Sequence, residues 1–125
     1  MHICRTAEAF ARLLATHPDP ELKSLLQVLA DRLADYEDYT FEELAEVLIV
    51  EPGDTLDAID AALGRSLLDG DTFARPVELI APHARWIEAV TILDDTGFGL
   101  ILFVPLDERT DQRLLAACKH ALIEG

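Results

Sequence analysis

Two segments, WIEAVTIL at 86–93 and FGLILFV at 98–104, constrain the fold more than any other part of this chain. A strand with one face in water alternates apolar and polar residues, because successive side chains point to opposite sides of the sheet. Here both faces are apolar, with Glu88 and Thr91 the main exceptions. Asp94, Asp95, Thr96 and Gly97 separate the two segments, and a glycine at 97 can take the positive φ that closes a tight antiparallel hairpin. Such a hairpin must be covered, either by helices on both sides or by helices on one side and a second subunit on the other. Pro105 ends the second strand because it has no amide hydrogen to donate.

Helices suited to that task are legible on both flanks. Asp19 is a good N-cap, Pro20 suits a first helical position, and Leu22, Leu25, Leu26, Leu29, Leu33 and Tyr36 recur at helical spacing. This predicts a helix of about 16 residues with one apolar stripe. Before it, Thr6 caps a shorter helix carrying Phe10, Leu13 and Leu14, which ends ahead of His17-Pro18; the short link makes the two an antiparallel hairpin. Thr40 and Glu43 have capping-box spacing and predict a helical turn, which gives way to an extended run at 47–50 rich in β-branched residues. Asp54 is expected to cap a further helix that buries Leu56, Ile59 and Leu63 and stops at Gly64. Asp107 or Thr110 is expected to cap a final helix burying Leu114, Leu115, Cys118, Ala121 and Leu122. Residues 65–82 are the least readable, with a turn at 69–71 and either a strand or a helical turn at 77–80. The sum is a single α+β domain over 1–125. It has an N-terminal helical hairpin, then a strand and helix, a β-hairpin (about 86–93 and 98–104) and a C-terminal helix packed on a small sheet.

The stretch VEPGDTL at 50–56, followed by Ile59 and Gly64, resembles the first half of a LysM module. That resemblance implies a strand, a PGDTL turn and a helix, in a family that binds N-acetylglucosamine-containing glycans. It covers 50–64 alone. The second half of such a module needs a helix with its asparagine and a returning strand, whereas 65–71 reads RSLLDGD and the chain contains no asparagine. The stretch is therefore read as a strand-to-helix turn built from good turn and cap residues.

Charge is the unusual property. Against 24 acids the chain has 10 lysines and arginines, a net of -14. Residues 31–71 hold thirteen of those acids and two arginines, and no Lys or Arg lies between Leu33 and Gly64. A surface this negative repels phosphates and anionic membranes, so direct nucleic-acid binding is not expected. The longest apolar run, 99–105, is far short of the ~20 residues that span a membrane. With two cysteines, Cys4 and Cys118, and no basic start leading into an apolar leader, a reducing cytoplasmic setting is expected.

Sites for chemistry are sparse. Calcium loops alternate oxygen ligands around a glycine, and neither 51–54 nor 69–71 has that pattern. His2 with Cys4, and Cys118 with His120, would make four zinc ligands if the termini met. On a helix, however, residues two apart face opposite sides. The two serines, Ser24 and Ser66, lie in no nucleophile elbow, so no catalytic residue, metal or cofactor is assigned. The best small-ligand position is the hairpin entrance, with His83 and Glu88 and with Arg85 as an anion contact.

The leading expectation is a non-enzymatic interaction module that meets a basic partner protein through the acidic, aromatic face of 35–60. Its contact residues would be Tyr36, Tyr39, Phe41, Glu42, Glu43, Glu46, Asp57 and Asp60, since aromatic anchors within a charged rim make a binding patch. A homodimer through the hairpin or the 20–36 stripe would fit beside it. The alternatives are a ligand binder or enzyme at His83, Arg85 and Glu88, or a DNA mimic that inhibits a DNA-binding protein.

Overall fold

The computed structural model describes residues 1–64, 77–82, 85–92 and 99–124, with 77–82, 91–92 and 119–124 described by backbone alone. Its elements are β1 (His2–Cys4), α1 (Ala7–Thr16), α2 (Pro20–Ala34), α3 (Phe41–Leu44), β2 (Ala45–Ile49), α4 (Leu56–Leu63), β3 (Val77–Pro82), β4 (Trp86–Ile92), β5 (Gly99–Pro105) and α5 (Gln112–Glu124). The class is α+β. The strands form one mixed sheet in the order β1-β2-β5-β4-β3. All neighbours are antiparallel except the β2–β5 pair, which runs parallel with Ala45 opposite Gly99 and Ile49 opposite Phe103.

The doubly apolar hairpin is covered by helices on both faces. Ile101 and Phe103 of β5, Trp86 of β4, and Ala45, Val47 and Ile49 of β2 pack with Phe10 and Leu13 of α1 and Leu22, Leu26 and Leu29 of α2. Leu100, Leu102 and Val104, Ile87 and Ala89, and Leu48 meet Leu56, Ile59 and Leu63 of α4 and Leu114, Leu115 and Cys118 of α5 on the other side. The result is three layers, with the sheet in the middle. A second subunit is not needed to cover either of these faces.

The α1–α2 hairpin forms as expected. Thr6 accepts from the Ala9 amide, and Asp19 accepts from the amides of Glu21 and Leu22 behind Pro20. Gly64, at φ 73°, stops α4 in the left-handed conformation that glycine adopts without strain. Two caps differ from expectation. Thr55, not Asp54, caps α4 by accepting from the Ala58 amide. Asp54 closes a turn instead: its amide donates to the Glu51 carbonyl at 3.1 Å and its carboxylate accepts the Glu51 amide at 2.8 Å. Pro52 and Gly53 (φ 96°) occupy the central positions of that turn, the arrangement a type II turn requires. Asp111, not Asp107 or Thr110, caps α5 by accepting from the Arg113 amide. Thr110 donates its hydroxyl to the Pro105 carbonyl. The run at 77–80 is part of β3, while the turn at 69–71 and the hairpin turn at 94–97 lie outside the described residues. The N-terminal strand β1 was not foreseen.

Two outcomes follow from this packing. Phe103 is fully buried at the centre of the sheet, so Phe103→Ala should cost about 3–5 kcal/mol in urea unfolding. Asp111 also accepts the Leu56 amide at 2.8 Å, which ties the start of α4 to the start of α5. Hydrogen bonding from Arg113, then from the Leu56 amide, lowers its carboxyl from 3.8 to about 2. The folded value lies below the unfolded one, so this stabilisation is present above 3.8 and is lost as pH falls toward about 2. The gap in urea midpoint between wild type and Asp111→Asn should therefore shrink across that interval in acid. A gap independent of pH would refute the assignment.

Candidate functional site

Because β2 and β5 are parallel, their carboxyl ends lie on one edge of the sheet, and antiparallel β1 and β4 begin there. His2 is opposite Ile49 and Trp86 is opposite Pro105. Polar side chains converge at this edge for a reason of register. Glu51 lies two residues beyond Ile49 and falls on the same side of the sheet, the side of α1 and α2. His2, as the register partner of Ile49, falls there too. His17, the C-cap of α1, enters the same corner, its own amide bonded to the Leu13 carbonyl at 2.9 Å.

Both imidazoles reach one carboxylate oxygen. His17 Nε2 is 3.1 Å and His2 Nε2 is 3.2 Å from Glu51 Oε1. Side-chain exposure grades outward from 5% for His17 through 31% for Glu51 to 49% for His2. The Asp19 amide points at His17 Nδ1 from 3.1 Å. That nitrogen therefore carries the lone pair, and the ring proton sits on Nε2 and is donated to Glu51. The two histidine rings meet edge to face at 5.9 Å, and His17 meets Trp86 in the same way at 6.3 Å. Asp54 accepts the Met1 amino group at 2.9 Å beside them.

The ligand atoms of His2, His17 and Glu51 all lie within 4.8 Å of one another, so this group could hold a metal ion. Coordination through His17 Nε2 would move its proton to Nδ1 and break the bond from the Asp19 amide. One lost hydrogen bond of this kind costs about 1–3 kcal/mol. Of the pairs at the chain ends, the two cysteines do not come together, and the side chain of His120 lies outside the described residues. Cys4 packs in the layer of α1 and α2, whereas Cys118 packs in the layer of α4 and α5. Burial raises both thiols, that of Cys118 to about 12.

Of the hairpin-entrance residues, His83 lies outside the described residues. Arg85 does not offer a free anion contact: it bonds Asp19 at 2.8 Å and Glu21 at 3.1 Å at the start of α2. Burial works to raise the Asp19 carboxyl. Bonds from the Leu22 amide and the Trp86 indole, with the charge of Arg85, outweigh it and hold the carboxyl below its ordinary value. Glu88 is 5% exposed and pairs with Arg32 of α2 at 2.9 Å, because a charge buried under a helix needs a partner. Arg85 and Glu88 thus fasten α2 to β4 at two heights, instead of lining a common site.

The acidic residues divide as well. Glu42 accepts from the Ala7 amide, the first of α1; its own backbone amide is the main influence holding its carboxyl low. Glu43 accepts from the Thr40 amide and hydroxyl, and Glu46 pairs with Arg5 at 3.2 Å. Asp57 and Asp60 lie on α4, across the sheet from α2, and both act on Arg113. Phe41 is partly buried and stacks on Phe10 with centroids 5.2 Å apart. Tyr36 and Tyr39 remain outward, 55% and 58% exposed. The structure therefore keeps the tyrosines together and separates them from the α4 carboxylates.

His17 and Glu51 were missed from sequence as a pair. What brings them together is the pairing of β1 with β2, and a three-residue strand carries almost no periodic signal. Glu51→Ala should cost about 1–3 kcal/mol, since it strands the buried His17 Nε2–H. Glu51→Gln, which keeps an acceptor oxygen, should cost clearly less. Equal losses in urea unfolding would refute the acceptor role. No protein-family model matches the chain, and no curated protein or solved structure matches it either.

Proposed function

We propose that this chain is a small acidic interaction module, non-enzymatic and cytoplasmic, that meets a basic partner protein through the connector between α2 and α3. The observation that carries this reading is the outward, turn-fixed presentation of residues 35–39, DYEDY. Every residue of that connector is exposed. Its backbone is nevertheless tied, with amide-to-carbonyl bonds from Asp35 to Arg32, from Tyr36 to Leu33 and from Tyr39 to Tyr36. With the backbone tied and only two side-chain torsions each, the two tyrosines lose little conformational freedom on binding, which is what makes tyrosine an effective anchor. Among the described residues Asp35, Glu37 and Asp38 form no ion pair, so their field is available to a cationic surface. Complementary charge speeds encounter and selects the partner, while the aromatic rings supply affinity.

The contact set is accordingly Tyr36 and Tyr39 with Asp35, Glu37 and Asp38. Glu42 and Glu43 accept from surrounding backbone amides, and Glu46 is paired with Arg5. The ligand-site alternative draws no support from Arg85 and Glu88, which are occupied by α2, and the DNA-mimic alternative rests on net charge alone. The test compares wild type with a Tyr36→Ala/Tyr39→Ala variant. These side chains are exposed, so stability should change by about 0.5 kcal/mol or less. Affinity for a cationic partner recovered at low salt should fall at least tenfold, as tyrosine hot spots of about 2 kcal/mol or more imply. Undiminished binding, together with indifference to Asp35→Lys/Asp38→Lys, would overturn the proposal.

A further inference from the structure

We infer that His2, His17 and Glu51 form a binding site for a divalent transition metal of the zinc class, separate from the proposed docking connector. Three observations lead to it. The donors are two imidazoles and a carboxylate, a set that suits zinc and leaves a coordination position open for water. Their spacing is right: ligand atoms at ~2.0–2.1 Å from a tetrahedral zinc are about 3.3 Å from one another. Glu51 Oε1 lies 3.1 Å and 3.2 Å from the two Nε2 atoms, and all three donors fall within 4.8 Å. The site is also built into the fold. Its innermost ligand is 5% exposed between α1 and the sheet, and its outermost is 49% exposed on an edge strand, which gives the ion a route in.

The three ligands come from β1, from the α1–α2 connector and from the residue pair after β2. The metal would cross-link the edge strand, the helical layer and the sheet. Glu51 already joins the same elements as an acceptor shared by both imidazoles. The bond from the Asp19 amide to His17 Nδ1 gives the site a distinctive signature. A ligating histidine normally donates from its other ring nitrogen. Loading the site therefore switches His17 from the Nε2–H to the Nδ1–H tautomer.

The experiment titrates zinc into untagged full-length protein against a chromophoric chelator, with imidazole ¹⁵N shifts recorded alongside. The expected result is one zinc per chain, a switch of the His17 tautomer on loading, and at least tenfold weaker binding in both His2→Ala and Glu51→Gln. His2 is half-exposed at the sheet edge, so His2→Ala should keep the far-ultraviolet circular dichroism of wild type and thus reports on ligation even if Glu51→Gln folds poorly. Cobalt in place of zinc should give the intense visible bands of a tetrahedral site. No stoichiometric zinc at tens of micromolar free metal would overturn the inference. So would binding that both variants retain, which would place the ion on other histidines or on the thiols.

Discussion

The parallel pairing of β2 with β5 is the contact on which the rest of the architecture depends. It joins the N-terminal half of the chain to the β-hairpin and places both strands inside the sheet, with β1 outside one and β4 outside the other. Interior strands of this kind have no face in water, and their sequences show it: all seven residues of β5 are buried. Two helices on each face follow as a requirement, since either face left bare would expose a continuous apolar surface. The same pairing makes one edge of the sheet collect the carboxyl ends of both parallel strands and the first residues of β1 and β4. The end of α1 and the start of α2 reach that edge through polar caps, and it is where His2, Glu51, Asp54, Asp19 and Arg85 gather.

Acidic excess has a less obvious role in this protein than solubility. With few cations available, many carboxylates accept hydrogen bonds from backbone amides. Asp19 caps α2, Glu42 accepts the first amide of α1, Asp54 braces the turn after β2, and Asp111 joins the starts of α4 and α5. Negative charge at helix starts is favourable because unpaired amides and the helix dipole point there. The few arginines, by contrast, bridge elements: Arg32 and Arg85 hold α2 on β4, and Arg5 joins Glu46 to the Ala62 carbonyl at the end of α4. Residues 35–39 stand out against this background because their carboxylates do neither.

Legibility tracked the range of the interactions. The α1–α2 hairpin, the stop at Gly64 and the hairpin of β4 and β5 could be read because each is decided within a few residues by a cap, a glycine or an apolar run. Thr55 and Asp111 took the capping roles expected of their neighbours, a shift of one position that depends on side-chain geometry and not on residue type. The neighbour relations of β1 and β2 could not be read, because a three-residue strand has no pattern and parallel partners are chosen by the whole fold. Glu88 and Arg85 looked like site residues because charged groups beside apolar strands suggest chemistry. Their partners Arg32 and Glu21 on α2 and Asp19 at its cap lie more than fifty positions away. The convergence of His17 with Glu51 was hidden for the same reason.

The separation of the central pair along the chain also bears on how the molecule is assembled. Ala45 and Gly99 are 54 positions apart, and His2 and Ile49 are 47 apart. The helical hairpin and the β4–β5 hairpin need only local closure and can form early, whereas the sheet is completed only when these distant segments meet, at the entropic cost of closing a long loop. Joining β2 to β5 and β1 to β2 therefore closes the two long loops on which completion of the sheet depends. The histidines belong to that closure, since His2 of β1 and His17 at the end of α1 share a partner only when Glu51, beyond β2, lies between them.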